Sequence, residues 1–155
     1  MLGPIMNHNI LKRVILEQIE LIQNAEIVER DYFFEKNVNY ILVGLRRAGK
    51  STLLYKIARD LVEAGCEWSQ IVYVNFEDDR LLGFTKDDFN DIIETAHELT
   101  DAKEIYYFFD EIQIIDGWEH FARRMADQKK HTYITGSNAR MLSSEMEKVL
   151  VGAPR

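Results

Sequence analysis

Gly44-Leu45-Arg46-Arg47-Ala48-Gly49-Lys50-Ser51 fits every fixed position of G-x-x-x-x-G-K-[ST], the pattern of a loop that cradles phosphate groups. With glycine at ~7% of residues and ordinary usage of Lys, Ser and Thr, a chain of this length matches by accident on the order of one time in two hundred. The spacing has a physical basis. Gly44 lets the chain turn sharply where a strand ends, and Gly49 accepts positive φ and offers no Cβ to an approaching phosphate. The backbone N–H groups of the loop point inward and form an anion nest at the N-terminus of the following helix. Lys50 carries a mobile charge to the β- and γ-phosphates, the Ser51 hydroxyl is placed to ligate Mg²⁺, and Thr52 adds a contact to the α-phosphate. The side chains of Arg46 and Arg47 occupy free positions; they contact a γ-phosphate, a neighbouring subunit or a sensor acid, or else are ion-paired or solvated.

The pattern requires a strand before it and a helix after it. Tyr40-Ile41-Leu42-Val43 is a short apolar, β-rich run of the kind found in a strand buried on both faces. From Leu53 to Val62 apolar residues recur at helical spacing until Gly65 stops them. Ile105-Tyr106-Tyr107-Phe108-Phe109-Asp110-Glu111 is a second apolar run, ending in two acids, and reads as a Walker B strand. Asp110 would be the acidic partner of Ser51 at Mg²⁺ and Glu111 the carboxylate that polarises an attacking water; the plainer reading of the two acids is an exposed strand end. A third strand, His131 to Thr135, runs into Gly136-Ser137-Asn138 and is expected beside the Asp110 strand. A hydroxyl or amide at that turn would sense the γ-phosphate; the plainer reading is a capped turn.

Two more elements complete the alternation. Gln70 to Phe76 reads as a strand and Asp87 to Leu99 as a helix, so strands alternate with helices and the sheet is expected to be parallel, with helices on both faces. Trp118, Phe121 and Met125 pack a further helix onto it. Before the P-loop strand, Ile10, Leu11, Val14, Ile15, Ile19 and Ile22 form one apolar helix face that covers the sheet, serves as an adaptor helix or, with Arg30-Asp31, walls the base. Glu77, Asp78 and Asp79 form an acidic cluster that is either a solvated loop or a partner for Arg80 or the loop arginines.

Taken together, GLRRAGKSTLL, VNFEDDRL, FFDEIQIIDGWE and TGSNARML resemble the AAA-type P-loop ATPases, in the bacterial and archaeal group whose P-loop is rich in arginine. The resemblance covers the chain from about Ile27 onward, with the four blocks in the family's order. It implies an α/β fold, a three-layer P-loop NTPase sheet, mostly parallel, with Lys50, Ser51, Asp110 and Glu111 in the roles above and Ser137 or Asn138 as sensor. It also implies a longer protein, with a small helical region and a C-terminal domain suspected of nuclease-like ancestry. The family's Gly-Arg pair after the last helix is not in register here, because Gly152 is followed by Ala153 and Pro154, and Arg155 is given no role. The expectation is therefore an N-terminal helical segment, 1–30, on a core, 31–155, whose C-terminal strand and lid are missing. That leaves an open edge beside the P-loop strand and three readings: a fragment, a shortened gene product, or a chain that self-associates.

Composition narrows the classes. A chain of 155 residues buries roughly 70% of its unfolded surface as one domain. Net charge is −7 and the pI about 5.1, which argues against a nonspecific grip on nucleic acid or an anionic membrane, leaving a local patch or a missing domain as the route to either. No apolar stretch spans a bilayer and residues 1–6 lack the character of a signal peptide, so a cytoplasmic chain is expected. Cys66 is the single cysteine, and His8, His97, His120 and His131 share no metal-ligand spacing.

ATP is favoured over GTP, since Asp110 is followed by Glu111-Ile112-Gln113 without a D-x-x-G turn and no N-K-x-D segment is present. Mg²⁺-dependent ATP hydrolysis is the leading expectation, with ATP and ADP as ligands. A P-loop small-molecule kinase and a nucleotide-gated binding module with negligible turnover are the alternatives.

Overall fold

The computed structural model describes residues 7–26, 40–43 and 48–136. Helix α1 (His8–Asn24) is followed by β1 (Tyr40–Val43), α2 (Ala48–Glu63), β2 (Ile71–Asn75), α3 (Phe89–Leu99), β3 (Tyr106–Asp110), α4 (Trp118–Asp127) and β4 (His131–Gly136). The four strands form one parallel sheet in the order β1-β4-β3-β2. The expected neighbour of the Asp110 strand is thus the observed one, with Phe108 opposite Tyr133 and Phe109 opposite Ile134. Because the strands are parallel, Val43, Asn75, Asp110 and Gly136 all end at one edge of the sheet.

Strand alternation divides the core into two layers. Val72, Val74, Tyr107, Phe109 and Ile134 face α3 and α4, meeting Phe89, Ile92, Trp118, Phe121 and Met125. Ile71, Tyr73, Tyr106, Phe108 and Tyr133 face the other way, onto Leu54, Ile57 and Ala58 of α2. The expected helices on both faces are present, and the expected packing of Trp118, Phe121 and Met125 is observed. Among the described residues β1 pairs with β4 alone, and the segment expected to lack a further strand and lid, 137–155, lies outside them.

Helix α2 ends as its glycine requires. Gly65 takes φ 123°, and its N–H donates to the Val62 carbonyl while that of Cys66 donates to Leu61, the two bonds of a Schellman cap.

Helix α1 lies against the outer strand β2 and joins both layers, with Leu11, Val14 and Ile15 in one and Ile22 in the other. Its ends are tied by side chains from other helices. At the C-terminus the Arg59 guanidinium of α2 donates to the carbonyls of Ile22 at 3.1 Å, Gln23 at 3.0 Å and Ala25, satisfying orphan acceptors and complementing the helix dipole. At the N-terminus Asn7 caps the Asn9 N–H at 2.8 Å, and His8 reaches Asp91 and Glu98 of α3. The acidic cluster after β2 is partly paired: Asp78 and Glu17 of α1 both bind the Arg80 guanidinium, at 2.9 and 2.8 Å, in an exposed arrangement worth little stability.

Hydrogen bonds to Glu98 and Asp91 hold the His8 imidazolium above its ordinary pKa. A raised folded-state pKa contributes stability that is complete below the unfolded value of 6.5 and fades as pH rises through the folded value. His8 is 35% and Glu98 46% exposed, so solvent screens the effect and it is small. The urea midpoint is expected to fall from about pH 6 to about pH 9, and His8→Gln to flatten that slope; an unchanged slope in the variant would remove His8 from the account.

Candidate functional site

The edge where the strands end carries a buried carboxylate. Asp110 shares the α2-facing side of β3 with Phe108 and is 3% exposed. It accepts three hydroxyl hydrogen bonds: from Ser51 Oγ at 2.7 Å and Tyr73 Oη at 2.7 Å, both to Oδ2, and from Thr135 Oγ1 at 2.6 Å to Oδ1. These lengths are those of well-formed O–H···O hydrogen bonds. Burial, reinforced by the Asp110 charge, pushes the Tyr73 phenol well above its ordinary pKa, so it remains a proton donor.

The local sequence explains why these groups meet. Tyr73, Asp110 and Thr135 stand on three adjacent strands with the parity that faces α2. Below them Tyr73, Phe108 and Tyr133 stack, with centroids 5.9 and 4.8 Å apart, as an apolar floor. Ser51 is the fourth residue of α2, which begins at Ala48, while β1 ends at Val43. The first turn of that helix is therefore brought to Asp110.

Glu111 follows in the left-handed region, with φ 56° and ψ 44°. A non-glycine residue there costs about 1–2 kcal/mol. The conformation turns the chain from β3 into a tight turn at 112–114, and the Glu111 N–H donates to Thr135 Oγ1 at 3.1 Å. Its carboxylate is buried, at 4% exposure, and accepts from Gln113 Nε2 at 2.7 Å. Gln113 Oε1 is itself buried without a partner.

Of the residues picked from the motif, Ser51, Asp110 and Glu111 are brought together in this way. Ala48, Gly49, Lys50 and Thr52 lie in the first turns of α2, while Gly44, Leu45, Arg46, Arg47, Ser137 and Asn138 fall outside the described residues, as do Arg30 and Asp31. Three polar contributors went unread in the sequence: Tyr73, Thr135 and Gln113. Strand parity was the available signal for the first two: Tyr73 shares its face of β2 with Ile71, and Thr135 shares its face of β4 with Tyr133.

A sequence model of the AAA_14 family, described as AAA domain, matches residues 36–154. The chain belongs to this family. It is 34% identical over 145 residues to an uncharacterized protein of Methanocaldococcus jannaschii, covering 92% of this chain and 31% of that protein. It is 35% identical over 122 residues to an uncharacterized protein of Haemophilus influenzae, covering 76% of this chain and 30% of that one. The chain thus spans about three-tenths of the length of these curated relatives. No solved structure matches the chain. Membership carries an ATP-binding, ATPase-type class of function, and the parallel sheet with its helices is consistent with a P-loop NTPase-like core. No described helix is long and apolar enough to cross a membrane.

Thr135→Val of the AAA domain removes both a donor to Asp110 and the acceptor of the Glu111 N–H at nearly constant volume. Urea unfolding is expected to register a loss of about 1–3 kcal/mol, and Tyr73→Phe a loss in the same range; no change in either variant would mean the carboxylate is satisfied without them.

Proposed function

We propose that this AAA domain binds ATP with Mg²⁺ and hydrolyses it, in service of a process that belongs to the longer protein. The observation that carries the reading is the 2.7 Å contact between Ser51 and Asp110, residues 59 positions apart that the two motifs together assign to one site. The loop amides from Gly44 to Gly49, Lys50 and Thr52 hold the polyphosphate, and the sensor role falls to Ser137 or Asn138. Ser51 and Asp110 would hold Mg²⁺. One hydroxyl and one carboxylate make a small set of hard oxygen ligands, which suits an ion that keeps several waters and binds substrate phosphates for the rest of its shell. When bound, the ion neutralises phosphate charge.

Glu111 is the group for the attacking water. Buried and fixed in an unusual backbone conformation, its carboxylate stands one residue beyond Asp110 and takes the water's proton as a general base. A second reading, a nucleotide-gated module that turns over slowly, is favoured by the Gln113 amide, which occupies the Glu111 oxygen at 2.7 Å. In that reading the base is held by its neighbour until a partner releases it. Self-association is one source of such a partner, and a further domain, nuclease-like or otherwise, is another.

Lys50→Ala is expected to abolish ATP binding by calorimetry, and Glu111→Gln to keep binding while removing phosphate release. Undiminished affinity in Lys50→Ala would overturn the proposal. Gln113→Ala distinguishes the two readings in a steady-state phosphate-release assay: a rise in rate identifies the amide as a restraint, and a fall identifies it as part of the working site.

A further inference from the structure

At the end of the sheet opposite Asp110, a pocket of about 230 Å³ opens between the C-terminal ends of α3 and α4 and the starts of β3 and β4. Lys103, Lys129 and Lys130 contribute to its wall. None of the three ammonium groups has an ion-pair partner among the described residues, in a chain whose net charge is −7. The wall's one carboxylate, Glu104, is engaged by His131 Nε2 at 2.6 Å.

Tyr107 also belongs to this wall. It is 1% exposed, and its phenolic oxygen is buried with no hydrogen-bond partner. A buried hydroxyl without a partner is costly, and native structures rarely keep one without a reason. Burial pushes the phenol up to about 12, so it is present as O–H and can donate.

The backbone bears on the same place. Helix α4 closes with the cap seen at α2, the Lys129 N–H donating to Ala126 and the Lys130 N–H to Met125. Where α2 places Gly65 at the left-handed position, α4 places Lys129 with φ 56°. Glycine is the ordinary residue there, and Lys129 lines the pocket. Lysines near a helix C-terminus also complement its dipole. That role accounts for Lys129 and Lys130 but leaves the orphan phenol and Lys103 unexplained.

We propose that this pocket binds a single phosphate-type oxyanion, with Tyr107 Oη as the buried donor and Lys103, Lys129 and Lys130 as the charges. Its volume is below the ~300–1,000 Å³ of sites for drug-sized ligands, which suits one phosphate group and not a nucleotide. It is separate from the Asp110 edge: Tyr107 and Asp110 are three residues apart on β3, roughly 10 Å along the strand. The occupant is either free orthophosphate or the terminal phosphate of a small phosphomonoester.

Residue-resolved amide NMR of the whole chain, titrated with inorganic phosphate at constant ionic strength, tests the assignment. Saturable shifts are expected at Tyr107, Lys130 and His131, persisting in Lys50→Ala protein, where the P-loop no longer competes. Tyr107→Phe is expected to weaken binding at least about tenfold and, by deleting an orphan hydroxyl, to raise Tm in phosphate-free buffer. Lys103→Ala with Lys130→Ala should weaken binding comparably. Tighter binding of phenyl phosphate than of orthophosphate assigns a phosphomonoester, and the reverse assigns the free ion. Absence of saturable shifts at these amides in the parent protein up to ~10 mM, or unchanged affinity in Tyr107→Phe, would overturn the site. Failure of ATP binding in Lys50→Ala has no bearing on these readouts.

Discussion

A carboxylate buried at the end of β3 cannot be left without donors, and Asp110 meets that requirement by drawing hydroxyls from α2, β2 and β4. Four elements are held in one place by one side chain. The first turn of α2 must then lie over the edge where the parallel strands end. In open α/β sheets that edge is where ligands gather. The position of the candidate nucleotide site is thus a consequence of satisfying one buried charge.

The polar layer rests on an aromatic one. Tyr73, Phe108 and Tyr133 stack across three strands, and moving two residues toward the strand ends on the same face gives Asn75, Asp110 and Thr135. The floor excludes water from beneath the carboxylate, which strengthens the hydrogen bonds above it. Tyr73 belongs to both layers, its ring to the stack and its hydroxyl to Asp110. On the other face Phe89 stacks on Phe121 with centroids 4.2 Å apart and joins α3 to α4.

The ends of the helices show how one backbone device serves different purposes. At α2 the left-handed cap residue is Gly65, the least strained choice, and the periodic apolar pattern before it made the stop readable. At α4 the same pair of cap bonds surrounds Lys129, and nothing in the local sequence announces a left-handed residue. Glu111 is the parallel case at the other edge: a buried acid in the same conformation, placed there because β3 must turn immediately after Asp110. Both exceptions to the glycine rule sit where a charged group is delivered to a pocket or a site.

Local chemistry was enough to settle the order of elements and the parallel sheet, because each rests on short-range rules: apolar periodicity and glycine at a turn. The hydrogen bond between Ser51 and Asp110 joins two residues that the motifs single out. Strand limits were readable to within a residue or two, as in β2, expected at Gln70 to Phe76 and observed at Ile71–Asn75. Tyr73 and Thr135 reached the site through parity and strand order, and Gln113 through a turn that follows a left-handed residue. These are facts about which segments lie side by side, and a linear chain does not carry them until it has folded. The same is true of the lysine-lined pocket, whose walls come from residues 97–107 and 128–131, on either side of α4, and are assembled only by the packing of α3 and α4 on one sheet.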